Sequence, residues 1–327
     1  MAAGGRRSAE RHVTVDCARA AVGERAPQSL LPRAGPQRVH HDHVFPRKPP
    51  MGQGVNPDID VDRLSVVSGG SGDAVLLIHG FGFSKFTWRH ICQSLAHTFT
   101  YYAVDLPGAG NSLVSGNFDF SLESLADVIA RLIIRRNLKS LTLVGWSLGG
   151  GIALLALLRH RRELSGRVKA LCIVDGIAYP QKFPFFVGLP RIPVLGSALV
   201  NFPSAQLLAR AMLRFCYFDR SLITHEQIAE YASHLQKETV RRALIKTARS
   251  IDVDRLTKYI AQLGLIDVPA LLIWGRDDRV VPLRIGQQLA TELKHSKLIV
   301  VERCGHMPHE ERPDEMIAIM QRFFNQK

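Results

Sequence analysis

Leu141–Gly151 (LTLVGWSLGGG) constrains this chain more than any other stretch. It begins as a β-branched and aliphatic run, which suits a buried strand, and ends in small residues. The following Ile152–Leu158 (IALLALL) is so rich in Ala and Leu that it reads as a buried helix. Between strand and helix stands Gly145-Trp146-Ser147-Leu148-Gly149. A glycine on each side of the serine lets strand and helix approach closely, so the turn between them is sharp and strained. The Ser147 hydroxyl is then expected at an exposed turn tip, at a helix N-terminus that favours developing negative charge. Strand–turn–helix junctions without chemistry share this short pattern, so a nucleophile at Ser147 requires partners elsewhere in the chain.

Strand and helix signals alternate on both sides. Ile59 to Val67 is expected to be an entry strand, closed by the turn Ser68–Asp73. Ala74–Ile78 is uninterruptedly apolar, as in strands buried on both faces. Phe99–Val104 and Val168–Val174 also read as strands, and Leu122, Leu125, Ile129 and Leu132 recur at helical spacing behind Ser121 as N-cap. After Asp175 the alternation stops. The sequence becomes Pro- and Phe-rich (YPQKFPFF, 179–186), then helical through Leu207–Phe218 and Glu226–Leu235. Strand Ala270–Trp274, helix Leu283–Leu293, strand Lys297–Val301 and helix Asp314–Phe324 restore it. This order specifies an α/β fold, a mainly parallel central sheet flanked by helices. The break reads as an inserted helical cap over 177–250, between core segments 56–176 and 251–327.

Open α/β sheets place their sites beyond the carboxyl ends of the strands. His79-Gly80-Phe81-Gly82 follows Ile78, Gly275-Arg276-Asp277-Asp278 follows Trp274, and Gly305-His306 lies beyond Val301. A serine hydroxyl is a poor nucleophile until an imidazole takes its proton, and a buried carboxylate then fixes that imidazole's tautomer. His306 has a preceding glycine that eases a tight turn, which His309 lacks. His79 reads as support for its own loop, and Asp105 as a partner for backbone groups. Trp88 reads as packing and Cys304 as inert. Asp175, Asp277 and Asp278 all stand at strand ends and remain open as the acid.

HGFG at 79–82, DLPGAGNS at 105–112, GWSLGG at 145–150, WGRDDRVVP at 274–282 and CGHMPHEERP at 304–313 together carry a resemblance. Over residues 59–325 the chain resembles the α/β-hydrolase fold superfamily, in particular its capped serine esterases, lipases and carbon–carbon bond hydrolases. The resemblance implies Ser147 as nucleophile, His306 as base and Asp278 as acid. The family's G-x-x-D spacing from Gly275 selects Asp278 over Asp277, and over Asp175, which is the acid position of some relatives. It also implies an oxyanion hole from the backbone N–H groups of Phe81 and Leu148. Relatives with an aspartate nucleophile, the epoxide hydrolases and haloalkane dehalogenases, are disfavoured by Ser147. No cofactor and no metal is expected.

The activity so implied is hydrolysis of carboxylic esters of lipophilic substrates through an acyl-enzyme. The alternatives are carbon–carbon bond hydrolysis of ring-cleavage products and hydrolysis of carrier-bound methyl esters or thioesters. A scaffold that kept the fold without the chemistry is at odds with the intact triad. Trp146, Phe185 and Phe186 are expected to contribute a lipophilic pocket, with Phe183 and Val187 beside them. Arg191, Arg210 and Arg214 could meet a carboxylate or phosphate.

Composition limits the partners. Of the formal net charge of +13, residues 1–50 carry nine Lys/Arg against four Asp/Glu, so the body is basic too. There is no basic patch interleaved with aromatics, so no nucleic-acid partner is expected. A basic body suits an anionic membrane surface or an acidic carrier protein. The five cysteines are scattered, against a disulfide framework or a zinc site, and the cytoplasm is the expected compartment. Residues 1–55 lack hydrophobic periodicity and read as a disordered basic tail. No apolar stretch follows Arg6-Arg7, which argues against a secretory signal. A transit peptide stays open as an alternative, with Glu10, Asp16, Glu24 and Asp42 unwelcome in one, and the cluster His40-His41-Asp42-His43 reads as functionless. Oligomeric state is left open.

Overall fold

The computed structural model describes residues 60–112, 114, 118–182, 184–251 and 258–325, all within one unit spanning 48–327. The tail 1–55, its histidine cluster and Phe183 lie outside the described residues. Strands β1 (Val66–Gly69), β2 (Ala74–Ile78), β3 (Thr100–Val104), β4 (Leu141–Trp146), β5 (Val168–Val174), β6 (Ala270–Gly275) and β7 (Ser296–Val301) form one sheet. Its order is β1-β3-β2-β4-β5-β6-β7. β1 runs antiparallel to β3, and every other neighbouring pair is parallel. Every residue of β2, β4 and β6 is buried. That is the reason for their uninterrupted apolar sequence: helices cover both faces of the parallel part.

The entry strand differs from the expectation. Val61–Arg63 forms a 3₁₀ turn, and pairing begins only at Val66, opposite Val104. Asp60 decides this, because its carboxylate accepts the N–H of Asp62 at 3.0 Å and so caps a turn in place of an extended chain.

Core helices are α1 (Arg89–Leu95), α2 (Leu122–Arg135), α3 (Leu148–Arg159) and α4 (Arg161–Leu164). The Ser121 hydroxyl accepts the Ser124 N–H at 3.1 Å, so α2 starts where the sequence places its cap. Between β5 and β6 the described residues hold helices and no strand. These are α5 (Phe185–Gly188), α6 (Leu195–Asn201), α7 (Ala205–Cys216), α8 (His225–Leu235) and α9 (Glu238–Ser250). A reciprocal capping box between Thr224 and Gln227 starts α8. The chain closes with α10 (Leu283–Glu292), α11 (Pro308–Glu311) and α12 (Pro313–Phe324).

Two acids of α11 tie the α5–α9 segment to the sheet. The buried Glu310 carboxylate accepts from Tyr217 at 2.8 Å, Gln227 at 2.6 Å, Thr87 at 3.0 Å and Tyr231, and pairs with Arg89 at 3.1 Å. Glu311 accepts the backbone N–H groups of Gly305 and Phe218, both at 2.8 Å. A buried carboxylate must be satisfied this fully, and removing any one partner leaves a costly orphan. The segment is thereby held above the carboxyl ends of β4, β5 and β6. Among the described residues no helix is long and apolar enough to cross a membrane.

Candidate active site

The glycines flanking Ser147 carry out the steric task read from the sequence. A Cβ on Gly145 would lie 2.2 Å from Gly149 O, and a Cβ on Gly149 would lie 2.3 Å from Ile78 O. Ser147 itself takes φ 54°, ψ −116°, a region costly for any residue with a side chain. Its backbone is locked there. Ser147 N–H donates to Val174 O at 2.9 Å, and its carbonyl accepts from Gly150 and Ile177 at 3.0 and 3.1 Å. One expectation changes: Ser147 is only 7% exposed, because the inserted helices cover the turn tip.

His306 follows β7 in a loop fixed from two sides. Its N–H donates to Cys216 O, and its carbonyl accepts from the Trp146 indole, both at 2.7 Å. Gly305 is required here, since a Cβ would lie 2.3 Å from Cys216 O. The imidazole Nδ1 lies 2.7 Å from Asp278 Oδ2. A carboxylate only accepts, so Nδ1 carries the proton and Nε2 keeps its lone pair. The other oxygen of Asp278 accepts from the N–H groups of Val280 and Val281 at 2.7 and 2.9 Å. Asp277 lies half-exposed beside it, its backbone N–H bound to Cys304 O at 2.9 Å. Asp278, not Asp277, therefore faces the histidine.

Asp175 is fully buried at the end of β5, with φ +44°. Its Oδ1 accepts the Gly275 N–H at 2.9 Å, and its Oδ2 has no hydrogen-bonding partner. Burial, and next the charge of Asp278, push its carboxyl well above the usual carboxylate range. Asp175, Asp278 and His306 each bring one ligand-type atom within 4.8 Å of the others, a spacing that a cation could use. The His306 Nδ1–H already fills the space towards Asp278, and a cation would have to displace that proton.

The remaining titratable groups near the sheet edge are structural. His79 Nδ1 lies 2.7 Å from Gly80 O, and its Nε2 accepts from Leu106 N–H at 2.9 Å, so the ring is a satisfied neutral strut. Burial lowers its pKa. Asp105 accepts from Lys85 N–H at 2.8 Å and Asn111 N–H at 3.0 Å, as expected for a loop organiser. His309 is buried between the rings of Trp88 and Trp146. Burial raises the Cys304 thiol. Trp88 is fully buried. Arg191 caps α9, donating to Ala248 O and Ile251 O at 2.6 Å, and does not line the site.

Ser147 and His306 line one narrow cavity. Phe81 and Leu148 line it too. Leu148 is the first residue of α3, where an N–H has no intrahelical acceptor. Trp146, Phe186, Val187 and Val281 make its walls apolar. Phe185, expected in the same pocket, faces away. It is 41% exposed and stacks edge-to-face on Phe186 and Phe215. Consecutive helical residues point about 100° apart, so α5 can offer only one of the two to the cavity. A second narrow cavity shares Phe81, Phe83 and Leu148 with the first and reaches to Leu244 and Thr247 of α9. Among the described residues that line either cavity there is no Lys, Arg, Asp or Glu.

Residues 75–319 match the family model described as the alpha/beta hydrolase family. The chain belongs to that family. It is a hydrolase by this membership. It is 31% identical over 240 residues to the uncharacterized hydrolase YugF of Bacillus subtilis, covering 73% of this chain and 85% of that protein. It is 28% identical over 253 residues to a pimeloyl-[acyl-carrier protein] methyl ester esterase of Neisseria meningitidis, covering 76% of this chain and 92% of that one. A meta-cleavage product hydrolase from Pseudomonas fluorescens superposes with a TM-score of 0.70 at 24% identity, over 80% of this chain and 94% of that one. That likeness shows the shared α/β-hydrolase fold.

The buried acids of α11 and Asp175's contact with the histidine's acid were not foreseen. No periodicity marks Glu310 and Glu311 as buried, because most of their partners lie 79 to 223 residues away in the chain. Asp175 could be found only as a carboxylate at a strand end.

Proposed function

We propose that this hydrolase cleaves carboxylic esters of uncharged, lipophilic substrates through a covalent acyl-enzyme on Ser147. The observation that carries the reading is one apolar cavity lined by Ser147 and by a His306 whose Nδ1–H is held by Asp278. His306 Nε2 takes the proton of the Ser147 hydroxyl as Oγ bonds to the ester carbonyl carbon. The carbonyl oxygen becomes an oxyanion, stabilised by the N–H groups of Phe81 and Leu148 and by the positive end of α3. As the intermediate collapses, the ester C–O bond breaks and Nε2 returns the proton to the leaving alkoxide. Water then repeats the sequence on the acyl-enzyme, releasing the acid and restoring Ser147. Asp278 stabilises the imidazolium in both halves. The helices 177–250 act as a cap that keeps bulk water out.

Two neighbouring apolar cavities on either side of Phe81 and Leu148 support a substrate with an acyl part and an alcohol part. The lack of a Lys or Arg among the described lining residues favours a neutral ester over a ring-cleavage product, which brings its own carboxylate. The basic chain and the likeness to a carrier-protein methyl ester esterase support one second reading, a methyl ester presented by an acidic carrier. A fluorophosphonate probe should label wild-type protein at Ser147 and leave Ser147→Ala unlabelled. A panel of p-nitrophenyl esters, an acyl-carrier methyl ester and a ring-cleavage product then separates the substrate readings. An unlabelled wild-type protein, inactive on the whole panel, would sink the proposal.

A further inference from the structure

The outer side of the α5–α7 segment is apolar and open. Leu189, Ile192, Val194, Leu195, Leu199 and Phe202 are all exposed, Val194 at 85% and Phe202 at 88%. They belong to one short stretch of chain whose pieces pack together. Gly196 of α6 lies against the carbonyls of Leu189 and Pro190, and the Arg241 side chain donates to Val200 O and Asn201 O at 2.8 Å. Val194 takes φ +60°, ψ −62°, the centre of a γ-turn in which the Leu195 N–H donates to Pro193 O at 2.6 Å, a strained conformation that a β-branched residue resists. The chain thus holds an apolar side chain in solvent in a strained conformation. Single exposed apolar residues are ordinary, but a cluster of this kind marks a contact surface.

Charge selects the partner. Between Gly176 and Phe218 there is no Asp or Glu, whereas Lys182, Arg191, Arg210 and Arg214 all fall there. Lys182, Arg210 and Arg214 are exposed. Apolar side chains that enter the acyl region, bordered by cations that meet headgroups, are what an anionic bilayer surface binds. An acidic protein would satisfy the cations and leave the apolar residues uncovered. On the opposite side of α5, Phe186 and Val187 line the Ser147 cavity. We propose that the α5–α7 face docks on anionic phospholipid membranes, placing the cavity beside the lipid phase. This holds whatever ester is cleaved.

The test is co-sedimentation of the full chain with phosphatidylcholine vesicles, with and without phosphatidylglycerol. Binding should need the anionic lipid and weaken with salt. The double variant Val194→Asp, Phe202→Asp should reduce partitioning on the order of tenfold or more, with turnover of a soluble acetate ester unchanged. Absence of binding would overturn the proposal. So would equal binding by the double variant, which would assign it to the basic tail. A concentration-dependent dimer that the double variant dissolves, without lipid binding, would mean that a second copy covers the face.

Asp175 carries a second, independent inference. Asp278 accepts two N–H groups on Oδ1 and one on Oδ2, which leaves one lone pair unmet. One carboxylate oxygen of Asp175 lies within 4.8 Å of ligand-type atoms of Asp278 and His306, and its Oδ2 has no hydrogen-bonding partner. We infer that Asp175 is a positioning residue, its Oδ2 hydroxyl donating to Asp278 and holding that carboxylate against His306. This rests on the catalytic reading of Asp278. The charged or titratable groups facing Asp175 are Asp278, His306 and Glu311, with the thiols of Cys216 and Cys304. Asp175→Asn keeps both a donor and an acceptor, so it should hold kcat within about threefold with an unchanged acid limb of the pH profile. Asp175→Val should lower kcat about 10–100-fold at constant KM. The infrared carbonyl band of a protonated carboxyl should be present in wild type and absent from Asp175→Asn, a readout that does not depend on catalysis. If Asp175→Asn lacks that difference, or shifts the acid limb by about a unit, Asp175 is ionised and the inference fails.

Discussion

Replacing Asp278 by Asn tests the proposed site at one atom. Asp278 Oδ1 receives two backbone N–H groups at 2.7 and 2.9 Å. In the Asp278→Asn variant the amide oxygen must take that place, since an NH₂ facing two N–H donors would be repelled and leave three donors unpaired. The NH₂ then points at His306 Nδ1, now 2.7 Å from a donor in place of an acceptor. The ring must adopt the other tautomer, with Nδ1 accepting and Nε2 protonated, and it can no longer take the Ser147 proton. The fold is little disturbed because the side chain keeps its shape. A triad acid changed in this way elsewhere costs on the order of 10⁴ in kcat, or about 5.4 kcal/mol of transition-state stabilisation. The assay is p-nitrophenyl butyrate hydrolysis, with circular dichroism to check folding. Asp277→Asn, half-exposed and bound only through its backbone, should stay within about threefold. A folded Asp278→Asn retaining more than a tenth of wild-type kcat would refute the tautomer argument, as would a crippled Asp277→Asn.

Ser147→Ala and His306→Ala should each abolish turnover by several orders of magnitude, and the double variant should be little worse, because the two act as one unit; kcat on a single ester decides it. Phe186→Ala should lower kcat/KM for a long-chain ester relative to an acetate ester by about 10–100-fold, whereas Phe185→Ala should leave that ratio unchanged. Equal ratios for both variants would mean that neither meets the substrate. Acid should destabilise the protein through His309, whose ring burial keeps well below its ordinary 6.5. The unfolded chain binds a proton there that the native protein refuses, so stability is present above pH 6.5 and is lost as pH falls below it. Calorimetric Tm between pH 7.5 and 5.5 should fall less steeply in His309→Gln, and an unchanged slope would remove His309 from the acid response.

The fold class and the Ser147 turn were legible in the sequence because both are local. Short apolar runs rich in β-branched residues suit strands covered on two faces, the longer Ala/Leu-rich run after Ser147 suits a buried helix, and glycines two residues either side of the serine allow the close junction between them. The order of reactive groups at strand ends followed, because a parallel sheet brings its carboxyl ends to one edge. Whether Asp175, Asp277 or Asp278 meets His306 depended on side-chain direction and on the N–H groups of Val280 and Val281. Motif spacing favoured Asp278, and the tertiary structure places it against the ring. The burial of Ser147, the division of labour between Phe185 and Phe186, and the Glu310 contacts with Tyr217, Gln227 and Tyr231 were decided by tertiary structure alone. The physical reason is the same in each case. These features depend on which surfaces meet when the helices between β5 and β6 fold back over the sheet, and that contact has no period along the chain.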